Sequence, residues 1–343
     1  MNLKELAEHL GLSPTTVSRA LNGYPEVKET TRARVEAAAR RYNYTPNAWA
    51  KGLATGRAMS IGHVMPVSKM HEMVNPVFGD FITGASEAYV EAGYDLKLTL
   101  VGDDDETARY RALSAKGNVD GIIVHGPHLT DRRIDLLREL GLPFVVHGRA
   151  SEMPADYAWI DMNNRRAFDR ATELLIELGH RRIALVNGLE HMDFAHRRRD
   201  GFLAALERGG IDADPALMRA GEMTEGLGFR AASDMLARPY PPTAFLASSM
   251  VTAMGIWRAL AARGLTMGRD VSVITHDDDL GYLRNGEDVP IFTATRSSVR
   301  AAGRTAAEML LRMIGDPGCA PLQTLMEAEL ILGQSTGPAP RPR

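Results

Sequence analysis

The chain is 343 residues long and holds a single cysteine, Cys319. One thiol cannot close an internal disulfide, which excludes a disulfide-stapled secreted fold and fits a reducing compartment. No apolar run approaches the roughly 18 residues needed to cross a bilayer. The N-terminus opens directly into an amphipathic helix rather than a charged-then-apolar leader, so a cytoplasmic protein without a membrane partner is expected. Neither G-x-G-x-x-G nor G-K-[ST] occurs, which removes the usual dinucleotide and nucleotide-phosphate cradles. His71-Glu72-Met73-Val74-Asn75 lacks the second histidine of H-E-x-x-H. His276-Asp277-Asp278-Asp279 are four adjacent residues at a strand end, which rarely converge on one ion; they read as polar groups at a strand mouth, with one available to a ligand. Gly333-Gln334-Ser335-Thr336-Gly337 matches the G-x-S-x-G elbow, but only six residues follow. That leaves no room for the helix and the downstream acid and histidine such an elbow requires. No catalytic group, metal or cofactor is expected, and the chain does not read as an enzyme.

What is present is an uneven charge distribution. Residues 1–58 carry nine Lys/Arg and five Asp/Glu, a net +4, while the remainder carries 31 and 38, a net −7. A basic head on an acidic body is the electrostatic footprint of a nucleic-acid-binding module joined to something that need not touch nucleic acid. The length suggests about two or three domains with ample chain for a core.

Leu3, Leu6, Ala7 and Leu10 recur at helical spacing and give a first short helix an apolar face. Gly11 supplies a turn that needs positive φ. Ser13 suits an N-cap, and Pro14 fits the first helical position, where its missing N–H costs nothing. On the second helix Val17, Ala20 and Leu21 face inward and leave Thr15, Thr16, Ser18, Arg19 and Asn22 outside. A small polar face with one bidentate donor suits a reader of the major groove. Taken alone, the same pattern also fits an ordinary pair of surface helices. Thr31, Val35, Ala38, Ala39 and Tyr42 mark a third helix, which Pro46 stops. Asn47 can then cap a short helix running to about Ala54.

Residues 3–56 resemble the LacI family of bacterial transcription regulators. The shared pattern is a helix-turn-helix of the type S-P-x-T-V-S-R-x-L-N-G followed by a hinge Y-x-P-N-x-x-A-x-x-L. The resemblance implies that hinge helices of two subunits pair in the minor groove. Asn47 and Ala50 would lie on that hinge, and Leu53 would be the wedge driven between base steps, its unstacking cost offset by the bend it produces. Two positions depart from the pattern. Gly52 costs a hinge helix about 1 kcal/mol relative to alanine, and Lys28 stands where the family has a serine cap for the third helix.

Beyond Gly56, short apolar runs alternate with amphipathic helices. Strands are expected at Ser60–Pro66, Leu96–Val101, Val119–His125, Pro143–Gly148, Arg182–Gly188, Thr243–Ser248 and Val271–His276. Helices are expected around Phe78–Tyr89, 163–178, 197–208, 250–263 and 298–314. The alternation predicts parallel sheets built of βαβ units. The predicted architecture is an N-terminal all-α helix-turn-helix domain over 1–45, a hinge and linker over 46–58, and an effector domain over 59–343. That last part is an α/β, two-lobed body like the periplasmic binding proteins. Lobe 1 would span about 59–160 and 291–320, and lobe 2 about 161–290 and 321–336, with crossings near Pro290 and Pro321. The tail from Gly337 reads as disordered, and no C-terminal leucine heptad is visible, so a homodimer is expected.

Ligands of open α/β sheets lie at the carboxyl ends of strands. Asn75-Pro76-Val77-Phe78 resembles the family's N-P-F-F segment, in which an aromatic ring lines the cleft; Phe78 either does so or sits in the core. Arg198 precedes Gly201-Phe202 as in the family's R-x-x-G-F, where the arginine grips ligand hydroxyls. Its neighbours Arg197 and Arg199 are expected to be solvated. Asp277 matches the first aspartate of the family's G-[FY]-D-D. An arginine and an aspartate suit an uncharged polyhydroxylated ligand, because each holds two adjacent hydroxyls. His147-Gly148-Arg149, Trp159-Ile160-Asp161 and Thr295-Arg296-Ser297-Ser298 resemble the family's regulators of raffinose and alpha-glucoside utilisation. Tyr157, Trp159 and Asp161 share a strand face and would place an aromatic platform beside a carboxylate. Ser248 stands where many relatives carry the asparagine of A-N-D. Trp257, between Ile256 and Leu260, reads as core.

The expected ligand set is therefore Asn75, Phe78, His147, Arg149, Trp159, Asp161, Arg198, Ser248, Asp277 and Arg296. The expected DNA set is Ser13, Pro14, Thr15, Thr16, Ser18, Arg19, Asn22, Asn47, Ala50 and Leu53. Together they predict a sugar-responsive repressor of alpha-glucoside or alpha-galactoside utilisation, bound to a near-palindromic operator and released by its sugar. An activator of the same build and a regulator answering a non-sugar molecule remain the alternatives.

Overall fold

The computed structural model describes the chain except residues 22, 45–55, 67–75, 103–105, 277–279 and 342–343, and the side chains of Pro66 and Pro76. Two compact units emerge, Met1–Met59 and Ser60–Arg343. In the first, α1 (Leu3–Leu10), α2 (Pro14–Leu21) and α3 (Glu29–Arg41) enclose Leu6, Ala7, Val17, Ala20, Val35 and Ala39. Several helix ends have an identifiable cause. Asn2 and Glu5 form a reciprocal capping box that satisfies orphan N–H groups of α1. Gly11 closes α1 at φ 64°, and the Ser13 hydroxyl accepts from Thr16 N at 3.1 Å to open α2. Lys28 gives α3 no side-chain cap. That helix ends at Arg41, well before Pro46, with Asn43 turned to φ 49°.

The second unit contains two six-stranded sheets. The first comprises β1 (Ser60–Pro66), β2 (Asp95–Val101), β3 (Gly121–His125), β4 (Phe144–His147), β5 (Trp159–Met162) and β11 (Gln323–Met326), in the spatial order β11-β5-β4-β3-β1-β2 and wholly parallel. The second comprises β6 (Ile183–Asn187), β7 (Met218–Ala220), β8 (Ala244–Ala247), β9 (Ser272–His276), β10 (Thr293–Arg296) and β12 (Glu329–Ile331), in the order β12-β10-β9-β8-β6-β7. Only β12 runs antiparallel there. The central strands β3, β6 and β8 are near-continuous buried apolar runs, as strands covered on both faces must be, while β9 is equally buried but carries Ser272, Thr275 and His276.

The covering helices are α4 (Pro76–Ala92), α5 (Glu106–Ala115), α6 (Arg132–Glu139), α7 (Asn164–Glu177), α8 (Asp193–Arg208), α9 (Glu225–Leu236), α10 (Met250–Ala261) and α11 (Val299–Gly315). The chain leaves the first sheet after Met162, returns to it after Arg296 and leaves again after Met326. The returns near Pro290 and Pro321 expected from the prolines therefore shift. Strand β10 still pairs with β9, and β11 still pairs with β5. Nor is the start of the tail loose: Gly337 N donates to Ser272 Oγ at 3.1 Å and Ala339 N to Leu178 O at 2.8 Å. Ser335 of the apparent elbow is fully buried, its hydroxyl accepting from Thr293 N at 2.7 Å and donating to Val273 O.

Helix pairs on both sheets close on glycine. A Cβ at Gly84 of α4 would lie 1.9 Å from Arg300 O of α11, and one at Gly303 would lie 2.0 Å from Phe81 O. Gly201 meets α7 and Gly228 and Gly255 meet across α9 and α10 in the same way, each with a built Cβ 2.0 Å from a carbonyl oxygen. Backbones cannot retreat from one another without unseating both helices from the sheet. Gly303→Ala is therefore expected to lower stability by about 3 kcal/mol, at the upper end of overpacking costs. Gly79→Ala, with no atom within 4 Å of the new methyl, should be neutral or gain up to about 1 kcal/mol of helix propensity. Denaturant midpoints of the two variants against the parent check the contrast.

Candidate functional site

The helical unit presents α2 with Thr15 and Arg19 exposed and Thr16 and Ser18 half-buried, while Val17 and Ala20 are sealed in the core. Ser13 and Pro14 start the helix, as their chemistry dictates. Thr16 and Arg19 also line a shallow cleft with Glu26, Val27, Lys28 and Thr31. Asn22, Asn47, Ala50 and Leu53 lie outside the described residues. The exposed face thus offers one guanidinium and short hydroxyl side chains beside backbone at a helix start, the groups that base edges and phosphates accept.

In the second unit a cavity of about 1250 Å³ opens between the two sheets. It lies where strand order reverses and at the strands' carboxyl ends. His125, His147 and Asp161 enter from the ends of β3, β4 and β5, and Phe78 and Phe81 from α4. From the second sheet come Arg198 on α8, Ser248 after β8 and His276 at the end of β9. Of the residues expected to bind ligand, Phe78, His147, Asp161, Arg198 and Ser248 are brought together on this wall. Asn75 and Asp277 lie outside the described residues. Arg149, Trp159 and Arg296 are not among the lining residues.

Arg198 is fixed before any ligand arrives. Its Nε donates to Asn164 Oδ1 at 2.7 Å and its Nη1 to Ser248 O at 2.8 Å. The guanidinium lies 4.8 Å from the centre of the Phe194 ring and 5.2 Å from that of Phe168. Ser248 Oγ is buried and has no hydrogen-bond partner among the described residues. A hydroxyl held that way costs free energy until a polar group reaches it. This corner combines a cation with a buried hydroxyl that lacks a partner among the described residues, which suits a neutral molecule rich in hydroxyl groups.

Several expectations change on the first sheet. Trp159 is buried behind the cavity with Phe144, Val146 and Tyr157, because it opens β5, three residues before the strand's carboxyl end. It is no sugar platform; the Arg149 guanidinium covers it at 4.8 Å. Asp161 reaches the cavity but already accepts from Arg149 Nε at 2.8 Å. Arg197 Nη1 stands 2.7 Å from Asp161 Oδ2 as an ion pair, though out of line for a hydrogen bond. Arg197 is consequently not solvated. It is 9% exposed, and its Nε donates to Asp193 Oδ2 at 2.6 Å. Arg199 is half-buried and pairs with Glu190 at 2.6 Å. Trp257 is not core: it is 45% exposed on α10, with only its edge toward Phe292.

Sequence reasoning named His147 but passed over His125 and His63. His125 lines the cavity at the end of an apolar strand, and His63, fully buried within β1, stands behind it. A histidine as the last residue of a buried parallel strand was the available signal for the first. For the second there was none, because His63 interrupts an otherwise apolar run. His147 stacks on Phe81 with ring centres 4.2 Å apart. Burial pushes His63 down to about 3 and His147 to about 4. It also holds His125 and His276 well below the ordinary imidazole range.

Comparison with known proteins resolves what these two units are. Residues 2–47 match the family described as bacterial regulatory proteins, lacI family, and residues 58–331 match periplasmic binding proteins and sugar binding domain of LacI family. The chain belongs to the LacI family. It is a DNA-binding transcriptional regulator built from a helix-turn-helix domain and a two-sheet α/β domain, and not an enzyme. It is 49% identical to the HTH-type transcriptional regulator AglR of Rhizobium meliloti (strain 1021), over 99% of this chain and 95% of that one. It is 34% identical to the HTH-type transcriptional regulator RafR of Escherichia coli, over 94% and 95%. A crystal structure of the lac repressor dimer bound to operator and the anti-inducer ONPF superposes with a TM-score of 0.81 at 25% identity, over 98% of this chain and 99% of that one. Among the described residues no helix is long and apolar enough to cross a membrane.

The buried histidines set a pH response of this regulator. Their folded pKa values lie below the unfolded value, so between about 3 and 6.5 the unfolded chain binds more protons. Stability should fall as pH drops through that window, by up to about 1.4 kcal/mol per pH unit for each histidine. Denaturant titrations from pH 7 to pH 4 measure the slope. His147→Gln removes one proton-accepting group, and an unchanged slope in it would contradict this assignment.

Proposed function

We propose that this regulator is a homodimeric repressor that binds a near-palindromic operator and leaves it when a neutral α-linked glucoside or galactoside fills the cavity between its sheets. The observation that carries the reading is the cavity wall where Arg198, locked on Asn164 and the Ser248 carbonyl, stands beside the Ser248 hydroxyl, which has no partner among the described residues. Such a wall favours hydroxyl groups over phosphates or carboxylates, because one guanidinium already spends two N–H groups on protein oxygens. In this reading Arg198 and Ser248, with Asp277, hold the sugar from the second lobe. Phe78, His147 and Asp161, with Asn75, meet it from the first. Arg149 acts only by holding Asp161.

On the DNA side Thr15, Thr16, Ser18, Arg19 and Asn22 read base edges in the major groove, with Ser13 and Pro14 fixing the helix start. Asn47, Ala50 and Leu53 form the minor-groove hinge. Two such heads on one dimer match a two-fold site. Leu98 and Leu100, side by side on the edge strand β2, are each at least 40% exposed, apolar surface that a second copy would cover. A protein that acts on operator DNA works in the cytoplasm. Sugar and operator must favour different arrangements of the two lobes, since a ligand shifts an equilibrium only by its differential affinity.

Arg19→Ala should cost about 1–3 kcal/mol of operator binding and relax base preference at one position. Fluorescence anisotropy on operator and single-base variants reads this, and unchanged affinity and preference would remove α2 from the reading role. Arg198→Ala should bind operator like the parent and lose release by sugar. A panel of glucosides and galactosides in melting and anisotropy assays supplies the comparison. A normal sugar response in Arg198→Ala, or melting shifts with phosphorylated metabolites only, would show the cavity reading to be wrong.

A further inference from the structure

Three side chains make a hydrogen-bonded line from the core of the first lobe to the cavity. Tyr89 Oη on α4 lies 2.9 Å from His63 Nε2 on β1, and His63 Nδ1 lies 2.9 Å from His125 Nε2 on β3. Tyr89 is 1% exposed and His63 is fully buried. Proton positions along this line follow from counting donors. A phenol that accepted from His63 would need a second acceptor for its own proton, and Tyr89 has no other hydrogen-bond partner among the described residues. Tyr89 must therefore donate to His63 Nε2. A neutral imidazole with a bare Nε2 carries its proton on Nδ1, so His63 donates in turn to His125 Nε2. That leaves the His125 proton on Nδ1, which has no partner among the described residues.

The surroundings hold this arrangement. The His125 ring is flanked edge-to-face by Phe78 at 5.1 Å and Phe81 at 5.0 Å, with His147 edge-on at 5.8 Å. Rotation of the ring would break its bond to His63 against two aromatic walls. Burial keeps His63 and His125 neutral and raises the Tyr89 phenol so that it retains its proton.

We infer that His125 is an effector-binding residue that presents Nδ1–H to the cavity as a fixed hydrogen-bond donor, and that Tyr89 and His63 are positioning residues that set its tautomer. This rests on the reading of the cavity as the sugar site. It adds a chemical demand that Arg198 and Ser248 do not make. The effector must place an acceptor oxygen, a hydroxyl, ring or glycosidic oxygen, against the Phe78–Phe81 side of the cavity. An N–H left unpaired among aromatic rings is costly, so a ligand without that oxygen is rejected rather than merely bound less well.

The test is a long-range proton–nitrogen spectrum of the full chain labelled with ¹⁵N-histidine, with His63→Gln and His125→Gln to assign signals. The expected free-protein spectrum shows both histidines neutral and protonated on Nδ1. Saturation with whichever of maltose, sucrose, melibiose or raffinose raises the melting temperature should move the His125 Nδ1–H signal. Tyr89→Phe should let His125 populate both tautomers and weaken that sugar several-fold. His125→Phe should lose tenfold or more, and His125→Gln, whose amide still donates, should recover much of the loss. His125 protonated on Nε2 in the free parent overturns the assignment, as does a sugar affinity of His125→Phe equal to the parent's. Should a variant not fold, the parent spectra with and without sugar still decide. If no sugar on the panel binds, the sugar reading fails and the donor's role fails with it. The tautomer is still read from the free protein, so the two failures are told apart.

Discussion

A guanidinium buried between carboxylates of different lobes is the constraint on which the effector unit turns. Arg197 and Asp193 lie on α8 of the second lobe, and Asp161 lies near the carboxyl end of β5 of the first. Asp193 also accepts from Ser151 N at 2.9 Å and from the Ser151 hydroxyl, both on the first lobe. Its own N–H reaches Pro127 O at 3.0 Å. Taking such charges from water is expensive unless they are paired, and loss of one partner strands the others. Pulling the lobes apart at this point would strand buried charges, so relative motion that keeps the cluster paired costs least. On another element, Asp80 of α4 accepts from Gly281 N of the second lobe at 2.8 Å. That contact is exposed, and therefore weak and easily exchanged.

The asymmetry gives the cavity a strong tie and a weak one. Each lobe is itself stiff, because its paired helices meet at glycine with no space for adjustment. Strain at the cavity wall cannot dissipate inside a lobe and must appear between them. Arg198 of one lobe and His147 of the other line the same cavity, so a molecule that touched both would favour one arrangement of the lobes over another. The fold supplies the mechanical premise for regulation before any particular effector is specified.

Much of this was legible in the residues. The helix-turn-helix was marked by local chemistry, Gly11 at positive φ and Ser13 before Pro14, which acts over a few residues and needs no tertiary context. The buried parallel strands were marked by continuous apolar runs. What escaped depended on distant partners. Helix α5 buries only Tyr110 and Leu113 and has no apolar stripe to read. Strands β11 and β12 are four and three residues long and exist because β5 and β10 offer edges. Arg197 looked like a solvated member of a three-arginine run, because nothing local announces Asp161 and Asp193 on either side of it. Trp159 shared a strand face with Asp161, yet depth along the strand decided which of the two met the cavity. Face is a property of sequence; depth belongs to the assembled sheet.

The histidines carry that distinction into chemistry. His125 ends its strand and reaches the cavity, while His63 lies deeper on the neighbouring strand, bonded to His125 and Tyr89 with the Phe81 ring edge-on to it. Neighbouring parallel strands place them side by side, with His63 paired to Ile123 in register, two positions before His125. A polar residue at that depth is costly unless its partners are supplied, and here one comes from a helix and one from the cavity wall. The same burial that lowers stability in acid keeps the rings neutral near pH 7. Neutrality in turn gives the line a single direction, from phenol to cavity. An apolar residue at position 63 would relieve the burial cost but leave His125 free to choose its tautomer. The retained polarity exchanges stability for a defined donor at the site where ligand must be recognised.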